Sequence, residues 1–301
     1  MPATSRSHLA GALAAFILLG LGLPAGASTP YFQPLHEPAT GEQHPGKFVW
    51  ADLFTSDPAA ATKFYTGLFG WTANIIKQDG KAYTVFSNGR HPVAGLVPRN
   101  TANHQRPARW INYIAVPDLK STLALVAPAG GQVRAPAREF PDRGSQAIIT
   151  DNEGSPVGLL QSGSGDSAED EPQPGDWHWF ELYGHAPATA AAFYARVFHY
   201  GVAPDTRTER KNDFLLTSEN RPRGGVAPLP SRADATPGWL GVVRVAGMDE
   251  ALKRVTALGG EILVAPRAAA YESRFAIIAD STGGVIGLVE YVDPVQTASR
   301  P

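Results

Sequence analysis

Two short segments of this chain carry the same chemistry. Trp50-Ala51-Asp52 and Trp179-Phe180-Glu181 each set an indole and a carboxylate two residues apart. Side chains alternate along a β-strand, so on a strand each Trp and its acid share one face. The indole offers a flat platform for stacking on a planar or cationic group. The acid offers an acceptor for a ligand or, if its pKa is raised, a group for proton transfer. A bland reading stands beside this one: an acid next to Trp can accept hydrogen bonds from backbone or indole N–H and lock the sheet, with the indoles as core.

Other chemistries lack a foothold. With no cysteine in 301 residues, disulfides, thiolate metal sites and thiol nucleophiles are excluded. The sequence has no GxSxG elbow, Walker loop, HExxH helix or dinucleotide fingerprint after its leading segment. The 26 basic and 28 acidic residues leave a net charge of −2, which provides no electrostatic footprint for nucleic acid or for a lipid surface. A hydrophobic content of 43% is that of a globular chain able to bury a substantial core.

Residues 1–27 resemble a secretory signal peptide. Arg6 precedes an apolar run from Leu9 to Leu23, and Ala25-Gly26-Ala27 supplies small residues before a cleavage point. The run is shorter than the ~20 residues a spanning helix needs, so a periplasmic or secreted protein without a stable membrane span is expected. Residues 28–47 are rich in proline and read as an extended leader.

An internal repeat organises the remainder. FVWADLF at Phe48 matches WHWFELY at Trp177, Phe64-Tyr65 matches Phe193-Tyr194, and Trp110 matches Trp239, all at an offset of 129 residues. The same offset relates AIITDNEGSPVGLLQ (Ala147–Gln161) to AIIADSTGGVIGLVE (Ala276–Glu290), while Gly95 and Gly225 are 130 apart. Two modules follow, 48–161 and 177–290, with an acidic Gly/Ser/Pro linker over 162–176 and a tail over 291–301. Within module 1, Asp57-Pro58 opens a helix whose stripe is Ala61, Phe64, Tyr65, Leu68 and Phe69. The hairpin Tyr83–Ser87 and Val93–Val97 follows. A second half then has a strand at Ile111–Val116, a helix over Asp118–Ala129 and strands near 132–134, 146–150 and 157–161.

DPAAATKFYTGLFGW (Asp57–Trp71), the GRHPVAG and RPRGG elements, VPDL opening a helix that ends in AGGQV, and the closing D-x-x-G-x-x-x-G-L strand resemble the vicinal-oxygen-chelate superfamily. That group includes glyoxalase I, extradiol dioxygenases and bleomycin-resistance proteins. The resemblance covers both modules and implies an α+β fold of two tandem glyoxalase-like modules, each of paired βαβββ units curved around a cup. In the family's enzymes a divalent metal sits in that cup. Its ligand positions fall here on Trp50 and Trp179, on about Ile111 and Leu240, and on Gln161 and Glu290, so most of a ligand set is absent; no cofactor is assigned, and a divalent metal stays open only through a rearranged site. By the same correspondence Glu181 and Glu290 converge in the second cup, with Arg244 beside them. They are the candidate catalytic pair, while Trp50, Asp52, Gln161, Trp179 and Arg244 are the candidate substrate-binding residues. Histidines offer no HxH or HxxxH pair, and His178 has the wrong parity to share the face of Trp179. The expected function is an exported, monomeric protein that binds a small molecule in the cup of each module. The alternatives are a lyase, isomerase or dioxygenase-like enzyme with a rearranged metal site or a Glu181/Glu290 acid–base pair, and an interaction module with self-filled cups.

Overall fold

The computed structural model describes residues 32–78, 80–99, 107–208, 212–230, 236–268 and 273–291. The candidate signal peptide, most of the tail and His104 lie outside them. Module 1 runs β1 (Phe48–Thr55), α1 (Pro58–Phe69), β2 (Thr72–Gln78), β3 (Lys81–Asn88), β4 (His91–Pro98), β5 (Arg109–Ala115), α2 (Leu119–Val126), β6 (Gln132–Phe140), β7 (Gly144–Thr150) and β8 (Pro156–Ser162). Module 2 repeats the order with β9 (Trp177–Gly184), α3 (Pro187–Phe198), β10 (Gly201–Pro204), β11 (Phe214–Ser218), β12 (Arg221–Pro228), β13 (Gly238–Arg244), α4 (Met248–Ala257), β14 (Glu261–Ala268), β15 (Arg274–Ala279) and β16 (Val285–Glu290).

Each module is one eight-stranded sheet, in the order β2-β3-β4-β1-β5-β8-β7-β6 and its counterpart β10-β11-β12-β9-β13-β16-β15-β14. The first strand of each half lies at the centre, β1 beside β5 and β9 beside β13, in antiparallel pairs. Strand β2 is absent from the hydropathy reading. It is an edge strand with almost every side chain exposed, so it carries no apolar alternation and is held by its ladder to β3.

Local chemistry explains the helices. The Asp57 side chain accepts the Ala60 N–H at 3.0 Å, Pro58 occupies the first turn, and Gly70 closes α1 in the left-handed region. The stripe Ala61, Phe64, Tyr65 and Leu68 is buried as its spacing requires, each large side chain contributing about 1.5–3 kcal/mol.

The helices bury these stripes between their own sheet and the helix of the other module, α1 meeting α4 and α2 meeting α3. One core joins α1 and β1 to α4, β15 and β16, and a second joins α2, β7 and β8 to α3. The repeated Gly-Gly pairs follow from this close packing of the modules, since a Cβ on Gly260 would meet the Phe64 ring and one on Gly131 the Phe193 ring, both across modules. Two polar chains make the same crossing. Trp110 donates to the Tyr65 hydroxyl at 2.9 Å and Tyr65 to Asp280 at 2.6 Å, while Trp239 donates to Tyr194 at 2.6 Å and Tyr194 to Asp151 at 3.2 Å. The leader and linker are pinned to this body as well. Thr40 N–H donates to Ser164 O, Asp166 N–H to Glu42 O, and the Trp71 indole to Gly175 O.

Candidate functional site

The face of each sheet away from the helices is the cup, and both cups are built around the Trp-x-acid segment. Trp50 and Asp52 share the cup face of β1, and the indole Nε1–H donates to Asp52 Oδ1 at 2.8 Å. In module 2 the Trp179 indole donates to Glu181 Oε2 at 2.7 Å. Each acid therefore accepts from its own indole, as the sheet-locking reading expects. Each carboxylate also lies over a glycine of the parallel neighbour. Asp52 is in register with Gly95 on β4 and Glu181 with Gly225 on β12, and a Cβ at either glycine would strike the carboxylate. The repeated glycines thus make room for the acids.

An arginine covers each indole. The Arg143 guanidinium lies 4.2 Å from the Trp50 ring centre, and that of Arg207 lies 4.6 Å from Trp179. The stacking is favourable because the indole face is electron-rich. The two arginines come from unrelated places, the β6–β7 turn and the loop after β10, so the repeat could not reveal them.

The cups differ in depth and polarity. In module 1, Asp52 is 2% exposed and accepts from Tyr83 at 2.8 Å and also from Tyr113. Burial pushes its carboxyl above the usual range, against the lowering effect of Arg143 and of these donors. The leader fills the rest of this cup. Leu35 packs with Val49, Trp50, Tyr83, Val85, Ile111 and Tyr113, and the Phe32 ring meets those of Tyr83 and Phe140 edge-on at 4.5 and 4.6 Å. The leader is thus a packed part of module 1. In module 2, Trp179 and Glu181 are half-buried, and Val242 stands where module 1 has Tyr113. Asp205 grips Arg207 through Nε and Nη2 at 2.8 and 2.7 Å.

Other expected site residues fall elsewhere. Leu160 belongs to the cup-side cluster and Leu159 to the helix side, so Gln161 follows Leu159, and its Oε1 accepts the Leu119 N–H at the start of α2. Glu290 follows Ile286 and Leu288 onto the helix face of β16. There it meets Arg274 at 3.3 Å, and Arg274 also bonds Asp249 of α4 at 2.6 Å. Glu181 and Glu290 are therefore on opposite faces of one sheet, and the expected convergence does not form. Arg244 does reach the cup side: its Nη1 donates to Pro172 O at 2.6 Å, and its guanidinium lies 5.9 Å from the Tyr291 ring.

The parity reading of His178 also fails, because a bulge interrupts β9 between Trp177 and Trp179. The matching bulge in β1 places Val49 and Trp50 in one cup-side cluster. His178 likewise sits by the second cup, within 2.8 Å of the Tyr291 hydroxyl, and burial lowers its pKa.

The family's metal positions are thus an indole, an aliphatic side chain, and a Gln or Glu turned to the helix face, a donor set that does not fit a cup-bound ion. Among the described residues, His44, Glu169 and Glu219 do place potential ligand atoms within 4.8 Å of one another. Arg223 already holds both carboxylates, at 2.5 and 2.8 Å, where leader and linker meet β12.

Residues 47–159 match the model of the Glyoxalase/Bleomycin resistance protein/Dioxygenase superfamily. The chain is 31% identical over 258 residues to "Putative glyoxylase CFP32" of Mycobacterium tuberculosis, spanning 84% of this chain and 98% of that protein. It is 30% identical over 260 residues to the anthracycline biosynthesis protein DnrV of Streptomyces peucetius, spanning 82% and 94%. In fold it resembles the Mn(II)-bound glyoxalase of Novosphingobium aromaticivorans, with a TM-score of 0.56 at 16% identity over 83% and 84% of the two chains. The chain belongs to the glyoxalase/bleomycin-resistance/dioxygenase superfamily, as a two-module, glyoxalase-like member.

Proposed function

We propose that this chain is an exported small-molecule-binding member of the superfamily, acting as a monomer and without the family's cup metal, and that the cup of module 2 receives the ligand. The observation that carries this is the half-buried Trp179 platform, with the Glu181 carboxylate two residues on and a guanidinium already stacked on the ring. A flat cation would replace Arg207 on the indole face and set its charge toward Glu181, while Arg207 keeps its pairing with Asp205. Relatives named for a glyoxylase activity and for anthracycline biosynthesis agree with a small organic ligand. With Glu181 and Glu290 on opposite faces of the sheet, the acid–base alternative has no geometric support. Self-filling narrows the reading for module 1, whose cup holds the leader.

The test uses protein recovered from the periplasm, which should begin at Ser28, titrated with the flat aromatic cation proflavine by indole fluorescence. Trp179→Ala should lose about tenfold or more in affinity with the fold intact. After dialysis against Mn and Zn, the unaltered chain should retain no stoichiometric ion. Unchanged affinity in Trp179→Ala, or one tightly held ion per chain, would overturn the reading.

A further inference from the structure

Arg143 is 0% exposed, yet its Nη1 and Nη2 have no hydrogen-bond partner among the described residues. Only Nε is engaged, donating to the backbone carbonyl of Gln33 in the leader at 2.6 Å. Gln146, 7% exposed and in register with Leu160 of the cup cluster, likewise has an unpartnered Nε2. The unused groups on this side of the first cup are all donors. A buried donor without an acceptor costs about 1–3 kcal/mol, and more when charged. Such a set matches a ligand that brings acceptors.

The leader shows what kind of ligand. It puts an aromatic ring, Phe32, against Tyr83 and Phe140, with the Arg143 guanidinium 5.9 Å from that ring, and it offers one carbonyl oxygen to Arg143. These are the parts of an aryl carbonyl compound, supplied by the chain itself. A carboxylate would do more, because its two oxygens match the guanidinium fork that a single carbonyl engages at one nitrogen. The sequence of module 2 does not repeat these groups: at the positions matching Tyr83, Tyr113, Arg143 and Gln146 it has Asp213, Val242, Glu272 and Phe275. The donors are therefore particular to module 1.

We infer that the first cup is a binding site for an aromatic carboxylate, recognised by Arg143 and Gln146 over Trp50, and that residues 32–35 are a surrogate ligand that such a compound displaces. The site is independent of Trp179.

The experiment titrates the full chain and its Phe32→Ala/Leu35→Ala variant with phenylacetate and with the uncharged phenylacetamide, by calorimetry. The variant should bind phenylacetate about tenfold or more tighter than the unaltered chain, and phenylacetamide about tenfold or more weaker than phenylacetate. Adding Arg143→Met should abolish the preference for the carboxylate, Gln146→Leu should reduce it several-fold, and Trp179→Ala should leave it unchanged. Because removing a buried arginine can disturb folding, each variant is first required to show the parent's circular dichroism and a cooperative melt, and Gln146→Leu carries the test if Arg143→Met fails this. Equal affinity for the two compounds, or no binding to the folded leader variant, would overturn the inference. Binding lost in Trp179→Ala but kept in Arg143→Met would place the ligand in the second cup, overturning it while sparing the proposed function.

Discussion

Asp52 and Glu181 hold matching places in the repeat but live in different media. Glu181 is half-buried, whereas Asp52 lies under the leader with donors from Trp50, Tyr83 and Tyr113. Because burial raises its pKa, the folded chain keeps the Asp52 proton to a higher pH than the unfolded chain does. Over that interval the folded state binds more protons, so this residue's contribution is full below the unfolded value and is lost as pH rises through the folded one. Asp52→Asn lacks that contribution. The difference in urea midpoint between the unaltered chain and this variant should therefore shift in favour of the unaltered chain as pH is lowered from about 7 toward 4. A difference that stays constant across that range would mean that burial does not dominate the carboxyl. The acid's placement beside Trp50 was legible from strand periodicity. Its desolvation was not, because Tyr83, Tyr113 and Arg143, which surround it, come from separate elements of the module.

Among the elements, the parallel pairs β1–β4 and β9–β12 set the acid over a glycine. On Gly95 a Cβ would meet both Asp52 and the pinned Tyr83 hydroxyl, while on Gly225 it would meet the Glu181 carboxylate alone. Gly95→Ala should therefore cost about 2–3 kcal/mol in chemical denaturation, as overpacking of a closed site does. Gly225→Ala should cost about 1 kcal/mol or less, because a half-buried glutamate can swing aside. Equal losses would show that the two carboxylates are equally confined. The glycines stand out in the sequence as a repeated pair, and their reason appears only in the strand register. Bulges limited the reading in the same way: one residue inserted in β9 cancels the parity argument for His178, since alternation is counted along an unbroken pleat.

At the scale of the molecule, the helix-bearing faces of the two modules pack on each other, α1 against α4 and α2 against α3, so neither owns a complete core. Tyr65 illustrates the coupling, taking a bond from Trp110 in its own module and giving one to Asp280 in the other. Tyr65→Phe leaves Asp280 and the Trp110 indole each short of a partner. It should lower stability by about 1–3 kcal/mol while both modules still melt in one transition, followed by tryptophan fluorescence and far-ultraviolet circular dichroism. Two separated transitions would contradict the shared cores. The modules, the helical stripes and the Trp-x-acid segments were readable, because capping and periodicity depend on near neighbours and the repeat is visible by aligning the sequence with itself. Tertiary structure decided which face Gln161 and Glu290 present, which arginine covers each indole, and that residues 32–35 fill the first cup. Those outcomes depend on contacts between residues up to about a hundred positions apart, which no local pattern encodes.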